Sequence, residues 1–405
     1  MKIYLVGGAV RDALLGLEVK DRDFLVVGAT PKAMLDAGFK EVGQDFPVFL
    51  HPNTFEEYAL ARTERKSGKG YKGFSVDFSS DISIEQDLIR RDLTINAIAQ
   101  ADDGSLIDPY GGQNDLDNKL LRHISPAFAE DPLRVLRVAR FAARFHHLGF
   151  TIADETLALM TQLSKTEVSE LTAERAWQET YRALLTDSPW IYFEVLRQCG
   201  ALKLLIPELD KLWGIPNPEK WHPEIDTGVH TMMVLEQAAK KTQDPVVRFA
   251  ALFHDLGKGE TPVEQWPHHK GHEGAGVAVI NNACRRLKTP KEYQELAVQV
   301  SRYHLHCHKM FELRPNTILK VLKGLKAYRN PDFLKQFITA CEADFNGRLH
   351  NEDKPYPQGE YLWQCYGISK DVDTQALIEE GYEGKKLGEA IDRQRLLAIK
   401  QLIKN

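Results

Sequence analysis

A glycine pair ending an apolar run, an arginine just after it, and two aspartates two residues apart are suited to phosphate and metal chemistry. Residues 5–27, LVGGAVRDALLGLEVKDRDFLVV, hold all of them. The run Ile3 to Val6 reads as a buried strand that Gly7-Gly8 stops, and residues 9–16 carry helix-forming character with Val10 and Leu14 on one face. Glycines at such a junction let backbone N–H groups approach an anion, because no Cβ stands in the way. Arg11 follows in the first turn, where a guanidinium can grip phosphate oxygens with two donors. Asp21 and Asp23 precede the apolar run Phe24 to Val27; on a strand, residues i and i+2 share a face. Two carboxylates held so close call for a counter-charge, for which hydrated Mg²⁺ is suited. A phosphate-gripping turn beside a carboxylate pair describes a site that moves nucleotidyl groups.

Two further stretches place charge on regular spacings. In Arg90-Arg91-Asp92-Leu-Thr-Ile-Asn96-Ala, Asp92 and Asn96 are four apart, which predicts a shared helix face with Arg91 one residue off that line. In Glu130-Asp131-Pro132-Leu133-Arg134-Val-Leu-Arg137-Val-Ala-Arg140, Pro132 suits a first helical turn and Asp131 an N-cap. Asp131 and Arg134 would then be surface neighbours, while Arg137 and Arg140 wind round from them and Val135, Leu136, Val138 and Ala139 fill the opposite side.

The elements that position these residues fall into two styles. Thr30 to Ala37 reads as a short helix closed by Gly38, and Phe46–His51 and Glu57–Ala61 as strands joined across Pro52-Asn53-Thr54. That predicts a small mixed sheet ending near residue 80; from Ser83 the period is 3.6 almost to the end. The Pro- and Trp-rich run 207–223 reads as a connector. Residues 62–72 carry five Lys/Arg against one acid, with glycines at 68, 70 and 73, a composition for a loop that touches phosphate or one that is merely solvated. With 405 residues, 43% hydrophobic, 27% charged and a net charge of −5, the chain reads as a globular protein of two to four units and no generic nucleic-acid binder. Five cysteines without a C-x-x-C pair argue against a disulfide framework or zinc ribbon. With the first strand at the N-terminus and no long apolar span, a cytoplasmic protein with no membrane association is expected.

The G-G-x-V-R-D and D-x-D combination resembles the entry motif of the polymerase-β-type nucleotidyltransferase superfamily, and within it the bacterial class II branch that adds CCA to tRNA or poly(A) to RNA. R-R-D-L-T-I-N-A, Asp108-Pro-Tyr-Gly-Gly112 and Glu174-Arg175-Ala-Trp-Gln-Glu179 resemble later motifs of that branch. The resemblance implies that Asp21 and Asp23 hold Mg²⁺, that Gly8, Arg11 and one of Arg91, Arg137 and Arg140 hold phosphates, and that Glu174 or Glu179 orients arginines. Asp131 and Arg134 would read the base: a carboxylate accepts from the amino group that cytosine and adenine share, and a guanidinium donates to ring acceptors. His230, then His254-Asp255-Leu-Gly-Lys after 23 intervening residues, resembles the HD phosphohydrolase domain. It implies a metal held by His230, His254 and Asp255, with His272, His304 and Asp344 as further candidates; mixed His/Asp ligation favours Ni²⁺, Mn²⁺ or Co²⁺.

The expected fold is α+β: a mixed-sheet, polymerase-β-like head with its base-reading neck (1–140), a helical body (141–225), an α-helical HD domain (226–350) and a helical tail (351–405). The implied function is template-independent CCA addition to the tRNA acceptor end from CTP and ATP. A phosphatase or 2′,3′-cyclic phosphodiesterase activity in the HD part would accompany it, in a monomer or homodimer. The alternatives are a bacterial poly(A) polymerase, against which the chain shows no basic extension or tail, and an HD hydrolase with an RNA-binding head.

Overall fold

The computed structural model describes residues 1–42, 48–66 and 74–404. Residues 67–72 of the basic segment, and Phe46 and Pro47 of an expected strand, lie outside the described residues. The chain divides into two compact units, Met1–Glu179 with Ile191–Leu204, and Thr180–Trp190 with Leu205–Asn405.

The first unit is built on a seven-stranded sheet. Its strands are β1 (Lys2–Val6), β2 (Asp23–Val27), β3 (Lys40–Glu41), β4 (Val48–Leu50) and β5 (Glu57–Leu60), with a separate hairpin of β6 (Thr63–Lys66) and β7 (Phe74–Asp77), then β8 (Ala99–Gln100) and β9 (Leu106–Ile107). The order is β3-β4-β5-β2-β1-β8-β9, and β2 runs parallel to β5. Central β2 buries both faces: Leu25 joins Val6, Leu88 and Ala97, whereas Val26 joins Met34, Phe49 and Leu60. That is why Phe24 to Val27 is apolar without alternation. The sheet does not end near residue 80 as its pattern predicts. β8 and β9 extend it beside β1, and two-residue strands are too short to show a period.

Helices α1 (Gly8–Leu14), α2 (Pro31–Asp36), α3 (Ile84–Leu88), α4 (Gly112–Asp117), α5 (Leu133–Phe145), α6 (Asp154–Thr166), α7 (Ala173–Leu184) and α8 (Pro189–Gln198) follow in chain order. The Ser83 and Gln86 side chains form a capping box at α3, and Thr30 caps α2. The stretch 90–97 is a correction: only a single 3₁₀ turn, Thr94–Asn96, forms there, because the Asp92 carboxylate turns back to accept from Leu93 N. Asp92 and Asn96 still meet, at 2.8 Å.

Short helix α9 (Leu202–Leu205) ends at the border, and the second unit continues with α10 (Pro207–Asp210), α11 (Thr227–Lys241), α12 (Pro245–Phe253), α13 (His272–Leu287), α14 (Lys291–His308), α15 (Pro315–Gly324), α16 (Pro331–Asn346), α17 (Pro357–Ser369), α18 (Thr374–Glu379) and α19 (Gly384–Lys404). Helices α11, α12 and α16 share a core of Val234, Ala238, Ala251 and Ala343. The run 207–223 is no free connector. It belongs to this unit, where Trp213 packs so tightly on Gly228 that a Cβ would collide, and Asn217 accepts from Lys258. Its Pro and Trp content imitates a linker but serves packing.

Candidate active sites

In the first unit, Asp23 opens β2 opposite Val6 and Asp21 lies just before the strand; both are exposed. Although its surface is open, the protein around Asp23 displaces enough water to raise its carboxyl; Arg91 opposes that and Asp21 adds to it, so the three share one local field. Gly7 has φ 70°, which favours glycine, and the Arg91 guanidinium lies close above it, 2.9 Å from where a Cβ would stand. The two-donor phosphate grip expected of Arg11 is not its arrangement here. It is 3% exposed, donates from Nε to Asp12 Oδ1 (2.8 Å) and from Nη1 to Asn96 Oδ1 (2.5 Å), and packs over Phe141 and Phe145. Its Nη2 borders the space above Gly8.

Helix α5 carries a ladder of ion pairs. Arg137 pairs with Asp92 (2.7 Å), Arg140 with Glu179 (2.6 Å) and Arg144 with Asp12 (2.8 Å). Arg134 donates to the carbonyls of Ala127 (2.8 Å) and Arg90 (2.5 Å), while Asp131 pairs with Arg175 (2.8 Å). Asp131 and Arg134, expected as surface neighbours, each also reach beyond the start of α5, Arg134 to the Ala127 and Arg90 carbonyls and Asp131 to Arg175. Asp131 does accept from Leu133 N at the start of α5. Burial would raise the Asp92 carboxyl, but Arg137, the amide of Asn96 and Arg134 outweigh it and hold it well below the usual range. Val135, Leu136, Val138 and Ala139 are buried as their spacing predicts. The Asp108 turn accepts from Gly112 N and Gln113 N, and a Cβ on Gly112 would strike Thr94 O, so it buttresses the 94–98 segment. Asp12 and Arg144 are the residues that sequence reasoning missed; Arg144 falls four after Arg140, which returns it to the arginine side.

In the second unit, α11 supplies His230, the end of α12 His254 and Asp255, α13 His272, α14 His304, and α16 Asp344. All six are buried. His230, His254 and Asp344 can present donor atoms within 4.8 Å of one another, as can Asp255, His272 and His304. His254 Nε2 lies 3.1 Å from Asp255 Oδ2 and 3.7 Å from Asp344 Oδ1, so the two trios adjoin. Gly257 is essential to this closeness: a Cβ would strike the His272 carbonyl and Gly276. Residues not foreseen complete the ring. Lys258 Nζ reaches Asp255 Oδ2 (2.6 Å), His308 Nε2 and Arg348 Nη2 reach Asp344 (2.6 and 3.4 Å), and Glu224 sits beside His222 and His230. Burial pushes the His304 imidazole down to about 3, which leaves it neutral and able to ligate. His254 Nε2, His272 Nε2 and Asp255 Oδ1 are buried and, despite their closeness, make no well-aligned hydrogen bond among the described residues. Orphaned lone pairs converging from imidazoles and carboxylates fit a divalent cation.

Three family models match the chain. The Poly A polymerase head domain covers residues 3–122, the probable RNA and SrmB-binding site of polymerase A covers 149–212, and the HD domain covers 227–328. A Multifunctional CCA protein of Thioalkalivibrio sulfidiphilus is 56% identical over 99% of this chain and 98% of its own length. One of Vibrio cholerae is 56% identical over 99% of this chain and 100% of its own. Among solved structures, the Thermotoga maritima CCA-adding enzyme complexed with tRNA superposes with a TM-score of 0.64 at 21% identity, covering 100% of this chain and 88% of that one. The Bacillus stearothermophilus CCA-adding enzyme in complex with CTP gives 0.65 at 23% identity, covering 99% and 89%. These two show the shared fold. No helix among the described residues is long and apolar enough to cross a membrane.

Proposed function

Since the chain belongs to the multifunctional CCA protein family, we propose that it adds C, C and A to the 3′ end of tRNA from CTP and ATP without a nucleic-acid template. The observation that carries this reading is the ladder on α5, which holds a base-reading carboxylate and the arginines around it in fixed register. Such a surface does the work of a template strand. Asp131 accepts from the amino group of cytosine or adenine, and Arg134 exchanges a main-chain carbonyl for a ring acceptor. Gly8, Arg11 and one of Arg91, Arg137 and Arg140 bind the triphosphate. Asp21 and Asp23 hold Mg²⁺, which suits an all-carboxylate pair and supplies charge neutralisation and activation of the tRNA 3′-hydroxyl.

The second site reads as a phosphohydrolase acting on phosphate esters such as damaged or cyclic 3′ ends. His230, His254, Asp255 and Asp344 hold a divalent cation, with His272 and His304 adjoining; the imidazole content favours Ni²⁺ or Mn²⁺ over Mg²⁺. The cation supplies Lewis-acid polarisation of a phosphoryl oxygen. Lys258 and Arg348 balance the two aspartates and draw the anionic substrate. The division 1–140, 141–225, 226–350 and 351–405 remains our partition of these tasks, with 205–225 working beside the second site. Five free, buried cysteines suit a reducing compartment, and we place the protein in the cytoplasm.

The deciding assay supplies radiolabelled CTP and ATP to a tRNA lacking its 3′ end. Termination after C, C and A is expected; a ladder of A residues would make the protein a poly(A) polymerase.

A further inference from the structure

The imidazoles around the second site are oriented by a common device. His254 Nδ1 lies 2.7 Å from the Ala251 carbonyl, His272 Nδ1 2.7 Å from that of His269, and His304 Nδ1 2.9 Å from that of Ser301. A carbonyl only accepts, so each Nδ1 carries the proton and each Nε2 lone pair is left for the site. Glu273, 3.7 Å from His272 Nδ1, is too far to compete.

His230 is held differently. Its Nε2 lies 3.2 Å from Asp344 Oδ1, on the cation side, while its Nδ1 lies 2.8 Å from Glu224 Oε1. The same oxygen is 2.9 Å from His222 Nδ1, and the two rings meet edge to face at 4.6 Å. The His222 contact is a hydrogen bond, whereas the His230 contact is misaligned and leaves Nδ1 without a hydrogen bond among the described residues; the ring's hydrogen bond runs instead from Nε2 to Asp344 Oδ1. The Glu224 side chain is 2% exposed, and its second oxygen lies 3.4 Å from the Leu349 N–H. The segment that delivers it is pinned by Asn217 N to the Ile225 carbonyl (2.7 Å) and Thr227 N to the Ile215 carbonyl (2.9 Å).

We infer that Glu224, steadied by His222, is a positioning residue for the cation: when a cation takes the place of the proton on His230 Nε2, the ring keeps its proton on Nδ1 facing Glu224, which holds Nε2 toward the site beside Asp344 and makes that imidazole a stronger donor. A carboxylate does this better than a carbonyl because its charge stabilises the polarised ring. This rests on the phosphohydrolase reading above, and it gives the Pro- and Trp-rich run 207–223 a purpose beyond packing.

The test is Ni²⁺ affinity, measured on the full chain by competition with a chromogenic chelator, for the parent, Glu224→Gln and His254→Ala. Glutamine keeps the size but loses the charge, so Ni²⁺ affinity should fall roughly 10–100-fold. Melting of the metal-free protein should stay unchanged, and hydrolysis should recover at saturating Ni²⁺. His222→Asn should weaken Ni²⁺ less than Glu224→Gln. Unchanged affinity in Glu224→Gln overturns the inference while the phosphohydrolase reading stands, provided His254→Ala loses binding. Loss of one bound ion per chain with the rest unaltered also overturns it, because His222, Glu224 and His230 would then be ligands of a separate ion. A parent that binds no Ni²⁺ overturns both.

Discussion

Asp23 illustrates how one residue takes its character from its neighbours. It opens a central strand, so its backbone is fixed on both sides by pairing to Val6 and Glu57 while its side chain stays at the exposed edge. Arg91, whose guanidinium lies over Gly7, opposes its charge from nearby. Substituting Asp21 or Asp23 with Ala should abolish addition of both C and A, because one carboxylate pair serves every step, while tRNA binding by filter retention stays near the parent value. Retained CMP incorporation in either variant would remove the shared-metal assignment.

At the scale of the element, α5 binds the first unit together through charges rather than only through its buried face. Its arginines reach Asp92, Glu179 and Asp12, which lie in three separate parts of the chain. Asp92 is a buried link whose carboxylate accepts from Arg137, Asn96 and Leu93 together. Asp92→Asn removes the charge and leaves donors of Arg137 and Asn96 underserved, costing roughly 1–3 kcal/mol. Arg137, a third exposed, recovers part of this from water. Because the folded carboxyl sits below the ordinary value of 3.8, its stabilisation is complete above that pH and fades as pH falls further. Melting curves should therefore show a constant gap between parent and variant from neutral pH down to mildly acid conditions, closing only below the ordinary carboxylate range. A gap that closes near neutrality would mean another group controls it.

At the scale of the whole molecule, the two candidate sites lie in separate compact units and use different donor sets. The first relies on carboxylates and arginines, the second on imidazoles and buried aspartates. His254→Ala or Asp255→Ala should eliminate phosphate-ester hydrolysis dependent on Ni²⁺ or Mn²⁺ and leave Mg²⁺-dependent CCA addition intact. Both activities are to be measured on the same preparations, with circular dichroism confirming that each variant is folded. Asp255→Ala leaves Lys258 buried without its ion-pair partner, so His254→Ala is the safer variant. Parallel loss of both activities in a folded His254→Ala protein would defeat the two-site account.

Local spacing in the sequence encoded the apolar strands at 3–6 and 24–27, a helix over Thr30 to Ala37, the change to helical period at Ser83 and the buried side of α5, each a matter of periodicity within a few residues. The six His and Asp residues of the second site came instead from the resemblance to the HD domain. Only the tertiary structure decided the partners. Arg134 and Asp131 are neighbours along α5, yet they turn to Arg90 and Arg175, because a buried charge is satisfied by whichever group folding brings within reach. Glu224 directly follows the stretch whose composition resembles a linker, and no spacing rule links it to His230 and His222 as one cluster. The short strands 99–100 and 106–107 likewise exist because β1 offers 99–100 an edge and 99–100 offers one to 106–107, which no two-residue pattern can announce.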